Sequence, residues 1–279
     1  ISFTYDREQN SITIYTLPYL VTYWAGQFPN FDIAEDSASF SNQKALLYNM
    51  IIVKNADEYY GVYDLTGKEI LGTKYTSIEF VESTMEFIVT TEEGKMGIIS
   101  YDATTKIRPE YDEIKQIDKD AGLYLVTNNN KQGVLNNSGN VVVYLEYDQI
   151  GIDIDKYDDN NNIKNQYLLY DNCIPVKRDN KWGMFDKTGR QILPLEYDNF
   201  GCDEDSATGG SSVLLIPDYE GIVVKQGEFY GLVDSQGEEL LPVVLSSIYS
   251  MTSGGEKTYY MIYNNVERDL IDYIKKYVR

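Results

Sequence analysis

The sequence contains no histidine. That removes Ser–His–Asp and Cys–His catalytic arrangements, histidine general bases and histidine metal ligands. Any chemistry would rest on carboxylates, lysine, tyrosine, serine or cysteine. Cysteine is scarce too. Cys173 and Cys202 are the only two, too few for a disulfide framework or a structural zinc site. They read as two small buried residues, with a single bridge between them left open. No apolar run approaches the ~18 residues of a membrane-spanning helix, and no signal peptide is visible. Because the chain begins at Ile1 rather than Met, the expectation is a trimmed N-terminus, and a signal or an anchor is among the things the removed part could have been. Basic residues are few: 24 Lys and Arg stand against 44 Asp and Glu, a net charge of −20. A general surface this negative argues against nucleic acid and anionic lipid as partners and suits cations or basic proteins.

What is present is a hydrophobic content of 43% over 279 residues, enough for a sizeable core, and a repeat. Taking Gly183 of KWG as an anchor, similar glycines occur at Gly61, Gly97, Gly133 and Gly231, with separations of 36, 36, 50 and 48 residues. The two positions after each anchor are apolar: Val62–Tyr63, Ile98–Ile99, Val134–Leu135, Met184–Phe185 and Leu232–Val233. Six residues on comes a second glycine in four copies, Gly67, Gly139, Gly189 and Gly237. Ten on is always aliphatic: Leu71, Ile107, Val143, Leu193, Leu241. Fourteen on is tyrosine in four copies, Tyr75, Tyr111, Tyr147 and Tyr197. Internal repeats set the architecture before any single motif does.

Each copy reads as β structure. DLTG, NNSG, DKTG and DSQG place Asp or Asn first and Gly fourth. That suits a type I turn followed by a left-handed residue, the connection of a tight hairpin. The flanking runs, such as WGMF and RQIL, are then paired antiparallel strands. SYDATTK in the second copy lacks the turn glycine, which predicts a looser loop. A further β-rich run precedes each anchor, and one such as YTSIEF or YDNFGC follows each copy as a fourth candidate strand.

Residues 181–200, KWGMFDKTGRQILPLEYDNF, resemble the bacterial WG repeat, also called the KWG repeat: a Lys–Trp–Gly strand, a D-K-T-G turn, an aliphatic strand with Pro and a Tyr–Asp tail. The other four copies match more weakly, with Tyr60, Met96, Gln132 and Tyr230 in place of the tryptophan. The resemblance covers about residues 50–250. It implies a β-rich repeat protein, often bacterial and often at the cell envelope, and brings no general catalytic activity with it.

The strand after each anchor is apolar at consecutive positions, whose side chains point to opposite faces. Both faces are therefore expected to be buried, as in small sheets packed face to face. The expectation is one all-β repeat domain over residues 1–279, built of about five to six small antiparallel sheets and β-propeller-like; an open β-solenoid of hairpins is the alternative. The repeat cores fall at about 50–80, 86–117, 122–152, 172–202 and 221–250. ISFTYDREQNSITIYTLP reads as a hairpin and KTYYMIY as a strand, and together they could supply a sixth blade. A C-terminal helix is expected over 264–279, because Val266, Leu270, Ile274 and Tyr277 share helical spacing, with Asn265 as its cap.

Function is expected where the spacing breaks. The two long separations carry 14 and 12 extra residues, at about 151–171 and 201–219. Matching insertions in successive repeats emerge on one face, and such faces bind. The first insertion holds Asp153, Asp155, Asp158 and Asp159, oxygen ligands of the kind calcium takes, though DIDKYDDNNNIK has Asp and Lys where an EF-hand needs Gly and Glu. The second holds Asp203, Glu204 and Asp205, suited to a basic partner. Recurring Asp112, Asp148 and Asp198 read as strand-end bonds: an active site is needed once, a structural bond in every unit. The resulting expectation is a non-enzymatic extracellular or envelope module binding a protein or glycan, with no cofactor unless calcium. The competing class is a carboxylate hydrolase of the glycosidase kind.

Overall fold

The computed structural model describes residues 3–6, 11–14, 31–33, 45, 48–64, 66–153, 165–202 and 210–278. The described residues are nearly all β, with a 3₁₀ turn and a short C-terminal helix, α1 (Leu270–Tyr277). The strands form successive small antiparallel meanders, the blade-like unit of a β-propeller. Sheet I holds Phe31–Ile33, Met50–Asn55, Tyr60–Asp64 and Glu69–Tyr75; sheet II holds Ser77–Val81, Glu86–Thr90, Met96–Ser100 and Thr105–Tyr111. Sheet III holds Glu113–Asp118, Leu123–Asn128, Lys131–Asn136 and Val141–Tyr147; sheet IV holds Gln149–Ile150, Cys173–Arg178, Lys181–Asp186 and Gln191–Tyr197. Sheet V holds Asn199–Phe200, Gly221–Gln226, Phe229–Val233 and Glu239–Leu245; sheet VI holds Ser247–Ser253, Glu256–Tyr263 and Val266–Asp269. Two compact units are formed, Ile1–Ile114 with Asn137–Gly139, and Lys115–Asn136 with Asn140–Arg279. Sheets I and II belong to the first, and IV to VI to the second.

The sheets are offset from the sequence repeat. The run after each copy is the first strand of the following sheet, not the fourth strand of its own. Only Thr76 separates Glu69–Tyr75 from Ser77–Val81, and one residue cannot reverse a chain into a hairpin, which takes at least two. The chain therefore steps across, and the repeat cores 50–80 to 221–250 each straddle two sheets.

The expectation of two buried faces is met. In sheet IV, Met184 packs toward sheet V with Trp182, Ile222 and Val224, while its neighbour Phe185 packs toward sheet III against Val134 and Ile174. In sheet V, Val233 joins the cluster with sheet IV and Leu232 the cluster with sheet VI. Sheets I and II share a cluster around Ile52, Val62, Phe80 and Phe87. Tyr75, Tyr147 and Tyr197 are buried in these layers, and burial raises the pKa of Tyr147 and Tyr197.

The recurring turns have the expected chemistry. Asp186 Oδ1 accepts from the Thr188 and Arg190 amides, and the Gly189 amide donates to Asp186 O at 3.0 Å. The second copy keeps the geometry without the glycine. Ala103 takes Gly189's place with φ 69° and donates to Ser100 O, while the side chain of Asp102 accepts from the Thr104 amide.

Two expectations at the ends change. Phe3–Asp6 and Ser11–Ile14 do pair as a hairpin, but in a sheet of their own; Glu256–Tyr263 pairs instead with its own neighbours in sheet VI. The helix starts at Leu270, not near 264, and Asp269 rather than Asn265 caps it, accepting from the Asp272 amide at 2.9 Å. Asn264 and Asn265 have φ 50° and 59°, the two left-handed residues of a tight hairpin turn. They fold Val266–Asp269 back onto Glu256–Tyr263, and the helix can begin only after that pairing ends.

Candidate binding surface

Both insertions occupy the same connection, between the first and second strands of sheets IV and V. In sheet III that connection is a short turn, with the Gly122 amide bonded to Lys119 O at 3.2 Å. The insertions therefore leave from one end of two adjacent sheets, the end that also carries the D-x-x-G turns.

Each insertion has a fixed foot. In the first, Ile152–Asp153 pairs with Asn165–Gln166 as a hairpin, and Ile152 is buried in the core between sheets IV and V. The chain returns through Tyr167, on whose ring Lys115 Nζ sits 4.8 Å from the centroid, and through Leu169, which is fully buried. Tyr170 then donates to Gly221 O in sheet V at 3.1 Å, and burial drives its pKa far up. The second foot is broader. Cys202 bridges to Val213, and Leu215–Ile216 pairs with the second strand of sheet V. Ser211 exchanges backbone bonds of 2.9 and 3.1 Å with Ser250 of sheet VI. Gly210 lies against the ring of Tyr249, so that no side chain fits there.

Of the acidic residues expected to act, Asp153 sits exposed on the first hairpin. Asp155, Asp158, Asp159, Asp203, Glu204 and Asp205 lie outside the described residues. Among the described residues no group of three or more Cys, Asp or Glu is placed to hold a metal ion, and no helix is long and apolar enough to cross a membrane.

Both cysteines are buried, and no disulfide joins them. Cys173 donates to Ser235 O of the neighbouring sheet at 3.1 Å, and burial, with Glu220, Asp186 and Asp234 nearby, pushes its thiol up to about 12. A buried thiol held protonated in this way is a poor nucleophile at neutral pH.

The recurring aspartates are strand-end bonds, at the opposite end from the insertions. Each pairs with the lysine two residues before its own anchor glycine: Lys95–Asp112 at 2.6 Å, Lys131–Asp148 at 2.5 Å and Lys181–Asp198 at 2.5 Å. The lysine and the aspartate of the K-W-G…Y-D pattern thus bind each other in three copies. Trp182 is core, 5.8 Å from the ring of Phe200, with Lys177 over its face.

The outer strand of sheet III carries exposed apolar residues that the repeat pattern did not single out. Val141, Tyr144 and Leu145 are exposed there, Tyr144 by 71%. A signal existed: the equivalent strands of sheets IV and V carry Pro194 and Pro242 where VVVYLEY has Tyr144.

Residues 182–205 match the family model described as WG containing repeat. The chain carries a WG repeat. The strands around Gly61, Gly97, Gly133 and Gly231 pair in the same register as those around Gly183. No curated protein matches the sequence. Among solved structures, a eukaryotic initiation factor is similar at 6% identity and a TM-score of 0.31, over 67% of this chain and 52% of that one. The chain thus spans about half the length of that protein. The computationally designed Ika8 protein is similar at 12% identity and a TM-score of 0.26, over 78% and 67% of the two chains. The WD40 β-propeller domain of Doa1 is similar at 13% identity and a TM-score of 0.24, over 80% and 74%. At such scores these likenesses say nothing of activity or partner.

Proposed function

We propose that the WG-repeat chain is a non-enzymatic binding or scaffold module that captures a protein or glycan through the two acidic insertions of sheets IV and V. One observation carries the reading: adjacent sheets lengthen the same connection, and both lengthened connections are anchored by buried feet while their acidic stretches lie between those feet. A rigid base presenting a variable loop is how binding surfaces are commonly built. The formal charge of −20 makes a basic partner the favoured class, drawn in by long-range attraction and sensitive to salt. The resemblance to WG-repeat proteins supports an extracellular or envelope setting.

The test neutralises the insertions together: Asp153, Asp155, Asp158, Asp159, Asp203 and Asp205 to Asn and Glu204 to Gln. Capture of a lysine-rich peptide, and of ligands on a glycan array, should be lost while the melting temperature holds. Capture that survives the changes would sink the proposal, and turnover on the glycan panel would favour a carboxylate hydrolase. Calcium held by Asp153, Asp155, Asp158 and Asp159 is a further part of the reading. It requires a melting temperature that rises in millimolar calcium and falls back with EDTA, and a flat response retires it.

A further inference from the structure

The residue fifteen places after each anchor glycine sits at the step from one sheet to the next. Its amide bonds the second strand of the following sheet at each of four junctions: Thr76 to Thr90 O, Asp148 to Lys177 O and Asp198 to Lys225 O at 2.8 Å, and Ser246 to Ile262 O at 2.9 Å. The side chains differ. At the junction of sheets I and II, Thr76 Oγ1 donates to Thr90 O and Thr91 O, and at that of sheets V and VI, Ser246 Oγ donates to Ile262 O. Both are neutral hydroxyl links. At the junctions of sheets III with IV and IV with V the residue is Asp. Asp148 accepts Lys131 Nζ through Oδ1 and the Asp179 amide, in the turn of sheet IV, through Oδ2 at 2.9 Å. Asp198 accepts Lys181 Nζ through Oδ1 and the Gly227 amide, in the turn of sheet V, through Oδ2 at 2.7 Å.

We propose that these two carboxylates are acid-releasable clasps, so that sheet IV loosens from both its neighbours at low pH while the hydroxyl-linked junctions hold. Asp179 is the first of two left-handed residues closing the sheet IV hairpin, and the strand pairing ends at Arg178↔Lys181. Gly227 stands at the same place in sheet V, outside the Gln226↔Phe229 pair. The ladder uses neither amide, so the carboxylate of the preceding sheet is the group that holds it. Protonation removes the charge that binds the lysine and weakens the amide bond. The charged groups facing Asp148 are Lys131 from its own sheet and Lys177 from the next; those facing Asp198 are Lys181 and Lys225. Asp179 at one turn and Glu228 at the other add carboxylates of their own, and Glu146 is held by Arg178. The lysines hold both clasp carboxylates below the usual range, with the turn amides adding to the effect. The clasps therefore stay closed through neutral and mildly acidic pH and open only as these depressed values are crossed. The junctions concerned flank the sheet bearing the first insertion and join it to the sheet bearing the second, so the freedom gained lies between the two insertions.

The experiment is amide hydrogen exchange on the whole chain, corrected for intrinsic rate, from pH 7 to about pH 2 so that the depressed values are crossed, with Asp148→Ala and Asp198→Ala compared at pH 7. In the unaltered chain, protection at Asp179 and Gly227 should fall on the order of tenfold in acid, while the amides of Thr76 and Ser246 keep theirs. At pH 7 each Ala variant should show the same loss at its own turn alone. Loss at all four amides together, or unchanged protection at Asp179 and Gly227 in the variants, overturns the proposal.

Discussion

Two kinds of glycine recur in the WG unit, and they answer different constraints. Gly189 in the DKTG turn has φ 88°, and a Cβ there would also lie 2.6 Å from Val142 O of the preceding sheet. Gly183 needs no unusual dihedral. Its strand passes under the outer strand of the sheet, where the register shifts between Trp182, Met184 and Phe185, and a Cβ would lie 2.9 Å from Leu193 O and 3.1 Å from Leu195 N. Gly97 meets Ile107 O in the same way at 2.8 Å. Gly183→Ala should therefore destabilise the protein by about 2–3 kcal/mol, as overpacking against backbone does, read from the midpoint of urea unfolding. Ala103 offers the opposite change: it holds φ 69° with a side chain, at a cost that exceeds what glycine adds to the entropy of the unfolded chain. Ala103→Gly should stabilise by about 0.5 kcal/mol, and a fall in the midpoint would contradict this. The turn glycines were legible in the sequence because D-x-x-G names its turn. The anchor glycine was visible as a recurrence, but its cause was not, since a bulge in a strand ten residues away leaves no local signal.

At the level of the element, periodicity found strands and missed where sheets begin. Consecutive apolar pairs correctly announced two buried faces. The offset between repeat and sheet could not be read, because it depends on which strand a run pairs with and not on what the run contains. The C-terminus shows the same limit. Val266 fits the helical spacing of Leu270 and Ile274, yet the Asn264–Asn265 turn claims it for a strand. Leu270 and Ile274 are fully buried against sheets V and VI, so Ile274→Ala should cost about 2–4 kcal/mol and the exposed Lys275→Ala nothing measurable by the same unfolding curves. The outer strand of sheet III carries its own prediction. Exposed apolar edges invite pairing with other chains, and proline blunts them. Tyr144 stands where sheets IV and V hold Pro194 and Pro242. Tyr144→Pro should leave stability within about 0.5 kcal/mol and reduce concentration-dependent association in light scattering. A large loss of stability would show that the edge of sheet III differs in backbone from the others.

For the whole molecule the governing quantity is charge, and it acts in two directions. The spacing of the repeat revealed where the insertions leave the scaffold, and composition revealed their sign, but neither shows how a net −20 is tolerated. Part of the answer is that many carboxylates are tied down. Asp64 is held by the Thr66 hydroxyl and the Lys68 amide, Asp102 by the Ser100 hydroxyl and the Thr104 amide, and Asp148 and Asp198 by their lysines. Asp118 and Asp186 are pushed up by burial, but Lys187 in one case and Thr188 and Arg190 in the other outweigh it. All six carry pKa values below the ordinary carboxylate range. A carboxyl whose folded pKa is depressed contributes stability above its unfolded value of about 3.9, and that contribution is lost as pH falls through the folded value. The net negative charge repels itself at neutral pH, and this repulsion eases as the pH falls and the net charge shrinks. The two effects predict a melting temperature that rises modestly as pH falls from 7, as repulsion eases, and then drops steeply once pH falls below the ordinary carboxylate range and the tied aspartates protonate. Sodium chloride at about 150 mM should raise the melting temperature at pH 7, where screening removes repulsion, and should do little at pH 5. Calorimetry across that range checks both. A melting temperature that falls steadily from pH 7 downward would mean that the tied aspartates dominate throughout and that self-repulsion is negligible in this fold.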